Sequence, residues 1–497
     1  MLLLGIDIGT SSVKVAVVDA TTQLCICSVQ YPDTESGILS PYPGWAEQSP
    51  DQWWEDTRQA ILKCNASGNY NPGDIAAVGI AYQMHGLVLV DKNQHVLRNS
   101  IIWCDSRAVE TGNRAFAEIG EDFCLEHLLN SPGNFTASKL AWVKVNEPAL
   151  YDRVFKAMLP GDFIAMKMTG EITTTISALS EGIFWDFKKN TVSAELLSYF
   201  GFAEPVLPPI QPLFSPHGFL KESEASRLLL KAGIPVSYKA GDQPNNALSL
   251  NVLRPGEVAA TAGTSGVVYA VSDELVYDKE SRVNSFAHVN HGISGHRTGL
   301  LLCINGCGIT NRWIRSITGG ILGYGQMNEA ASTIAPGSDD LQVIPFGNGA
   351  ERMLNNRVIG AGILNLNNNI HTAAHLFRAV QEGIAFAFRY GTDIMKENNI
   401  YPSVVRAGRA NMFLSGVFTE AFVNSTGIPV ELHDCEGSTG AALGAGIGAG
   451  IFRNEGEAFA RRKPLKTVEP TEEKRYNDLY LSWKESLLNI ISKSGKL

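Results

Sequence analysis

At 497 residues, with 44% hydrophobic and 18% charged positions and 48 glycines, the chain has the make-up of a compact α/β enzyme of two or three domains rather than a disordered, fibrous or membrane protein. Its net charge of −9 argues against a nucleic-acid or anionic-membrane partner. No apolar run reaches the roughly 18 to 20 residues of a membrane span, and Asp7 arrives before a signal-peptide core could form. The eight cysteines lack a paired CxxC or histidine set, so reduced thiols in a cytoplasmic protein are expected.

In chain order, Leu2 to Ile8 reads as a buried strand, Gly9 to Ser12 as a turn, Val13 to Ala20 as a second strand and Cys25 to Tyr31 as a third. Ser49, Pro50 and Gln52 form a helix-start signal with a hydroxyl cap, proline at the first helical position and glutamine at the capping-box position. That helix should bury Trp53, Trp54 and Ile61. Strands over Ile75 to Ala81 and Leu87 to Asp91 flank the loop Tyr82-Gln83-Met84-His85-Gly86, and strand-end loops commonly carry binding groups. Helical spacing over Glu224 to Ala232 gives way to a strand, Pro235 to Ala240, that delivers Gly241 and Asp242 at its carboxyl end, the end that faces the ligand crevice in open α/β sheets.

The second half opens like the first. A strand over Glu257 to Ala262, the turn Gly263-Thr264-Ser265-Gly266 and a strand over Val267 to Val271 repeat the Gly-Thr-Ser turn of Gly9-Thr10-Ser11. The join between halves is expected just after Asp242, dividing the chain into residues 1–248 and 249–497. His371 to Asn399 places Leu376, Val380, Ile384 and Phe388 on one helical face, with a possible break at Gly391. Gly444 to Ala449 fits GxGxxA, but in an Ala/Gly-rich helical stretch, where close helix packing is the better reading than dinucleotide binding. The basic cluster around Pro464 reads as a solvated loop.

Phosphoryl transfer needs backbone amides around the phosphates, a carboxylate for Mg²⁺ and a base for the acceptor hydroxyl. Gly9 and Gly263 let the chain turn with amides toward an anion, and Thr10, Ser11, Ser12, Thr264 and Ser265 add hydroxyl donors. Asp7 is placed to hold Mg²⁺ directly or through water, and Lys14 can meet a phosphate as a point charge. Asp242 either faces an acceptor or caps the next helix, with the amides of Gln243, Asn245 and Asn246 nearby for hydroxyls. His85 is either a binding group or a packed strand-end histidine. The absence of GxxxxGK[ST] removes the P-loop kinases.

Several of these segments together resemble the FGGY carbohydrate kinases, most closely the xylulokinase branch, over essentially the whole chain. Gly5-Ile6-Asp7-Ile8-Gly9-Thr10-Ser11 is similar to the family's first phosphate motif, Gln83-Met84-His85-Gly86 to the sugar-contact loop, and Trp103-Cys104-Asp105-Ser106-Arg107 to the following W-x-D-x-R segment. Thr136 to Trp142 and His375 to Gly383 resemble the two family signatures. The resemblance implies a two-domain actin-like (ribonuclease H-like) fold with sugar and ATP meeting in the interdomain cleft. It implies Asp242 as general base, Asp7 as the Mg²⁺-linked carboxylate, and Met84, His85, Asp105 and Asn245 as contacts to a ketopentose. It further implies Gly9, Thr10, Ser11, Lys14, Gly263 and Thr264 around the phosphates and Gly408 and Asn411 near the adenosine. A homodimer is a family-level expectation.

The chain departs from the xylulokinase pattern by placing Gln243-Pro244 between Asp242 and Asn245, by an adenosine loop poor in glycine, and by a longer spacer, Asn365 to Ala374, before the second signature. The expected reaction is phosphorylation of D-xylulose. The alternatives are the same transfer to gluconate, ribulose, glycerol or another polyol, and an actin-like ATP-binding regulator without kinase activity.

Overall fold

The computed structural model describes residues 1–293 and 295–494. Two sheets organise it. The first contains β1 (Leu2–Ile8), β2 (Val13–Asp19), β3 (Cys25–Tyr31), β4 (Ile75–Tyr82) and β5 (Val236–Gly241) in the order β3-β2-β1-β4-β5. The antiparallel meander β1-β2-β3 is the one expected, and β1, β4 and β5 run parallel. The second contains β6 (Glu257–Ala262), β7 (Gly266–Ser272), β8 (Asn284–Ala287), β9 (Thr298–Ile304), β10 (Val404–Gly408), β11 (Val430–His433) and β12 (Lys466–Val468). Its inner order, β9-β7-β6-β10-β11, repeats the first sheet strand for strand and direction for direction.

Alternation along β1 decides what covers each face of the first sheet. Leu2, Leu4, Ile6 and Ile8 point into a core shared with α1 (Pro50–Asn65), where Trp53, Trp54 and Ile61 are buried. Ser49 caps α1 by accepting the Gln52 amide, while the Gln52 side chain turns to Asp56, so the capping box is only half made. The chain leaves the sheet through α2 (Asp242–Ser249), and the expected 248/249 division falls inside the last turn of that helix.

In the second half, α3 (Gly308–Ile317) follows β9, and α4 (Ala373–Glu397) runs unbroken through Gly391, where the expected interruption is absent. Gly391 instead admits Leu302, whose Cδ2 lies 2.8 Å from where a Cβ would stand. The helix expected over Glu224 to Ala232 is confined to Glu222–Leu228, because Leu229 turns left-handed. No helix among the described residues is long and apolar enough to cross a membrane.

The other face of the first sheet is covered from the opposite half of the chain. Helix α5 (Gly437–Gly448) lies across β1, β4 and β5 in a core of small residues including Ala77, Ala81, Ala240, Ala441 and Ala445. A Cβ on Gly5 would stand 1.8 Å from the Ser438 carbonyl oxygen, and one on Gly79 would stand 2.0 Å from that of Ala441. Gly444 admits the Tyr238 ring and Gly448 the Ser237 carbonyl, so the GxGxxA pattern is a helix-packing surface. Gly79→Ala is therefore expected to cost about 1–3 kcal/mol through overpacking, read as a lowered unfolding midpoint; an unchanged midpoint would mean the seat is slack.

Candidate active site

Because β1, β4 and β5 are parallel, Ile8, Tyr82 and Gly241 end level with one another. Gly9, Gln83 and Asp242 therefore leave the sheet side by side at its carboxyl edge. The register extends past the strands, since the Gln83 amide donates to the Ile8 carbonyl at 2.8 Å. Asp7 points to the α5 face, and a Cβ on Gly437 would stand 2.2 Å from its Oδ2, so the first turn of α5 abuts this carboxylate. Burial raises the Asp7 pKa above the ordinary range; Lys14, opposite it in register on β2, opposes this and Glu436 adds to it.

Asp242 is the first residue of α2. Burial, with the nearby Asp7 charge, raises its carboxyl to about 7 against the pull of hydrogen bonds from the Gln243 backbone and side chain. The Asp7 carboxylate is thus close enough to disfavour ionisation of Asp242. The Gln243 Oε1 is buried without a hydrogen-bond partner.

The wall beside Asp242 is made by the Met84-His85 loop. The Met84 side chain lies over Gly241, its Cγ 2.6 Å from where a Cβ would stand. His85 takes a left-handed backbone, φ 62°, unusual for a residue with a side chain. It is held there by three bonds: its amide donates to Glu181 Oε1 at 3.0 Å, its Nδ1 lies 3.1 Å from the Glu181 carbonyl, and its own carbonyl accepts Lys139 Nζ at 2.8 Å. Phe135 and Phe286 pack on the ring at 4.8 and 5.4 Å. Burial, with help from Lys139, pushes the imidazole down to about 3. A carbonyl can only accept, so Nδ1 carries the proton and the neutral ring leaves Nε2 as a hydrogen-bond acceptor.

The turns expected around phosphates divide between the sheets. The Thr10 hydroxyl accepts Trp103 Nε1 at 2.9 Å and lies 3.4 Å from Gln83 Oε1, while Ser11 and Lys14 are exposed. In the second turn the carbonyls of Gly263 and Thr264 accept the Gly308 and Ile309 amides at the start of α3. Gly408 ends β10, parallel to β6, and Asn411 Nδ2 lies 3.6 Å from where a Gly263 Cβ would stand, so these two loops meet. Cys303, paired with Val267 just past this turn, has its thiol raised to about 11 by burial and lies within electrostatic reach of Asp242. The second sheet's edge therefore faces the Asp242 carboxyl.

Two expected sugar contacts have partners within the protein. Asp105 is fully buried, and its oxygens accept the Ala46 amide and the Arg107 amide and guanidinium, which Trp45 covers at 3.6 Å. With both oxygens engaged it holds the W-x-D-x-R segment together and leaves Trp103 exposed. Asn245 is also fully buried, and its Nδ2 donates to the Gly437 carbonyl at 2.9 Å, so it faces the α2–α5 seam. Two residues escaped the sequence reading. Glu181 is almost fully buried, orders His85, and lies against Gly241, with burial raising its pKa well above the carboxylate range. Arg352 borders the His85 ring from the second half. Neither sits in a motif whose spacing signals it.

The architecture recurs in solved proteins. A xyloylose kinase from Brucella ovis superposes with a TM-score of 0.89 at 25% identity, covering 99% of this chain and all of that one. Gluconate kinase from Lactobacillus acidophilus superposes at 0.88 with 21% identity, covering 100% and 99%. The fold is the two-domain actin-like (ribonuclease H-like) fold of sugar-phosphorylating enzymes. The FGGY family of carbohydrate kinases, N-terminal domain, matches residues 2–249, and the chain belongs to this family. It is 28% identical over 466 residues to the xylulose kinase of Klebsiella pneumoniae, covering 93% of this chain and 92% of that one. The protein is accordingly a carbohydrate kinase with ATP as phosphate donor.

With burial holding its pKa near 3, the His85 ring should show no titration of its nitrogen NMR shifts between pH 8 and pH 5. An imidazolium signal growing in over that range would contradict the neutral ring.

Proposed function

We propose that the protein transfers the γ-phosphoryl group of ATP to the terminal hydroxyl of D-xylulose, with Asp242 as general base. The observation that carries this reading is the Asp242 carboxyl at the common carboxyl edge of β1, β4 and β5, raised to about 7 and walled by Met84 and His85. A base with a pKa near the working pH combines a large ionised fraction with good proton affinity. His85 Nε2 and the Asp242 carboxylate both accept, which suits an acceptor rich in hydroxyl groups. The similarity to xylulose kinases supports the ketopentose.

The Gly9 and Gly263 turns, with Thr10, Ser11, Lys14 and Thr264, are assigned to the phosphates, and Gly408 with Asn411 to the adenosine. Mg²⁺ would be held by Asp7: the glycine at position 437 leaves room beside this carboxylate, and Mg²⁺ commonly takes one or two carboxylates with phosphates and water. When bound it spreads the charge of the phosphates during transfer. Residues 1–248 would carry the acceptor side and the first phosphate turn, and residues 249–497 the second turn and the nucleotide.

A general base contributes about 10²- to 10⁴-fold, so Asp242→Ala should lose at least that much turnover and keep its affinity for an ATP analogue. Near-normal turnover would remove Asp242 from this role. Its carboxyl must be ionised to accept the proton, so kcat/KM of the native enzyme should be level above pH 7 and fall about tenfold per pH unit below it. A profile flat down to pH 5 would contradict the assignment. ADP release measured across D-xylulose, D-ribulose, D-gluconate and glycerol should be fastest with D-xylulose, and a preference for any other acceptor would replace the sugar named here.

A further inference from the structure

Most cations withdrawn from solvent in this protein are paired: Lys239 meets Asp162, Arg107 meets Asp105 and Glu47, Arg378 meets Glu382, and Arg282 meets Asp278. Lys139 forms no ion pair but gives its ammonium donors to the His85 and Ile102 carbonyls. Arg352 also forms no ion pair among the described residues, and burial pulls its pKa below the ordinary arginine range. Among the described residues its hydrogen bonds run from Nη1 to neutral oxygens, Asn284 Oδ1 at 2.7 Å and the Ser281 carbonyl at 3.5 Å, and the remaining donors of the fork have no partner.

Its position is fixed from both sides. The preceding residue, Glu351, accepts the amides of Asn305 and Gly306 at 3.0 Å each, which ties Arg352 to the segment leading into α3 and the second phosphate turn. Asn284, which Arg352 grips, shares one face of β8 with Phe286, whose ring packs on His85. The guanidinium lies within electrostatic reach of His85 and of Cys303, and Cys303 in turn of Asp242. The Asn284–Phe286 link to the ring and this reach place it beside the His85 loop. A half-buried guanidinium with no counter-charge and unpaired donors is suited to a ligand oxygen.

We propose that Arg352 is an acceptor-recognition residue whose free N–H groups bind an oxygen that carries no proton, the carbonyl of an open-chain ketose or the carboxylate of an aldonate. The inference rests on the acceptor site proposed above and names the part of the ligand that site selects. His85 Nε2 and the ionised Asp242 carboxylate accept, so they serve hydroxyl groups. A carbonyl or carboxylate oxygen can be met only by a donor, and a charged fork suits the most negative oxygen of the ligand.

The test compares calorimetric affinities of the full-length native protein, R352Q and R352K for D-xylulose, D-gluconate and xylitol, the last having a hydroxyl where xylulose has its carbonyl. R352Q should lose about tenfold to a hundredfold affinity for the ligand with the unprotonated oxygen and far less for xylitol, with ATP-analogue affinity unchanged. R352K, which keeps the charge and loses the planar fork, should recover part of the loss. A greater loss for D-xylulose assigns the carbonyl, and a greater loss for D-gluconate the carboxylate. Equal losses for D-xylulose and xylitol, or no loss for any ligand, would overturn the proposal. Turnover of D-gluconate but not D-xylulose by the native enzyme, with gluconate binding abolished in R352Q, would refute the acceptor proposed above and support the role of Arg352.

Discussion

Helix α5 reaches the first sheet only because Gly5 and Gly79 present no side chain beneath the Ser438 and Ala441 carbonyls. Those two glycines are neighbours in the β1–β4 register, so they form one continuous trough. The trough sets the height of the helix above the sheet, and that height brings its first turn against Asp7 and its Gly437 carbonyl onto Asn245. The second half of the chain thus completes the surroundings of a carboxylate supplied by the first. Close approach of backbone to backbone at this place, more than burial of large side chains, makes the cleft a joint product of both halves.

The electrostatics of the cleft follow from the same crowding. Asp7 and Asp242 are withdrawn from water and so shifted toward the protonated form, Glu436 adding to the first and the Asp7 charge to the second. Glu181, nearby and buried, is shifted the same way. Against this acidic group stand Lys139, lowered to about 7 by burial, and Arg352, without a carboxylate. Lys139 directs its donors at the carbonyls of His85 and Ile102, which stabilises the bent loop rather than neutralising an acid. The basic groups therefore do not cancel the acidic ones in pairs.

Strands β1, β2, β3, β6 and β7 were legible in the sequence because alternation and Gly-Thr-Ser turns are local signals, and the repeat of that unit pointed to two like-ordered sheets. The place of Asp242 was legible because a strand leads directly up to it. How Asp105 and Asn245 are engaged was not legible, because residue type and motif position do not say which way a side chain points; Arg107 holds the first and the Gly437 carbonyl takes the amide of the second. Glu181 and Arg352 were invisible for a related reason. Their importance comes from contacts between segments far apart in sequence: Glu181 with His85, and Arg352 with Asn284 on β8. Gly391 shows the opposite error, since a local helix-weakening residue was outweighed by the fit of Leu302.

The crossing of α5 also bears on how the chain reaches this shape. During synthesis the strands of the first sheet are complete once Gly241 has emerged, but one face stays bare until residues 437–448 follow nearly two hundred residues later. The Gly5–Gly79 trough at the centre of that face offers little apolar surface to a partner not shaped to it, while Leu3, Val18 and Tyr238 stand beside it. The glycines that admit the helix in the finished protein thus also keep the middle of the face from being an inviting surface while it waits.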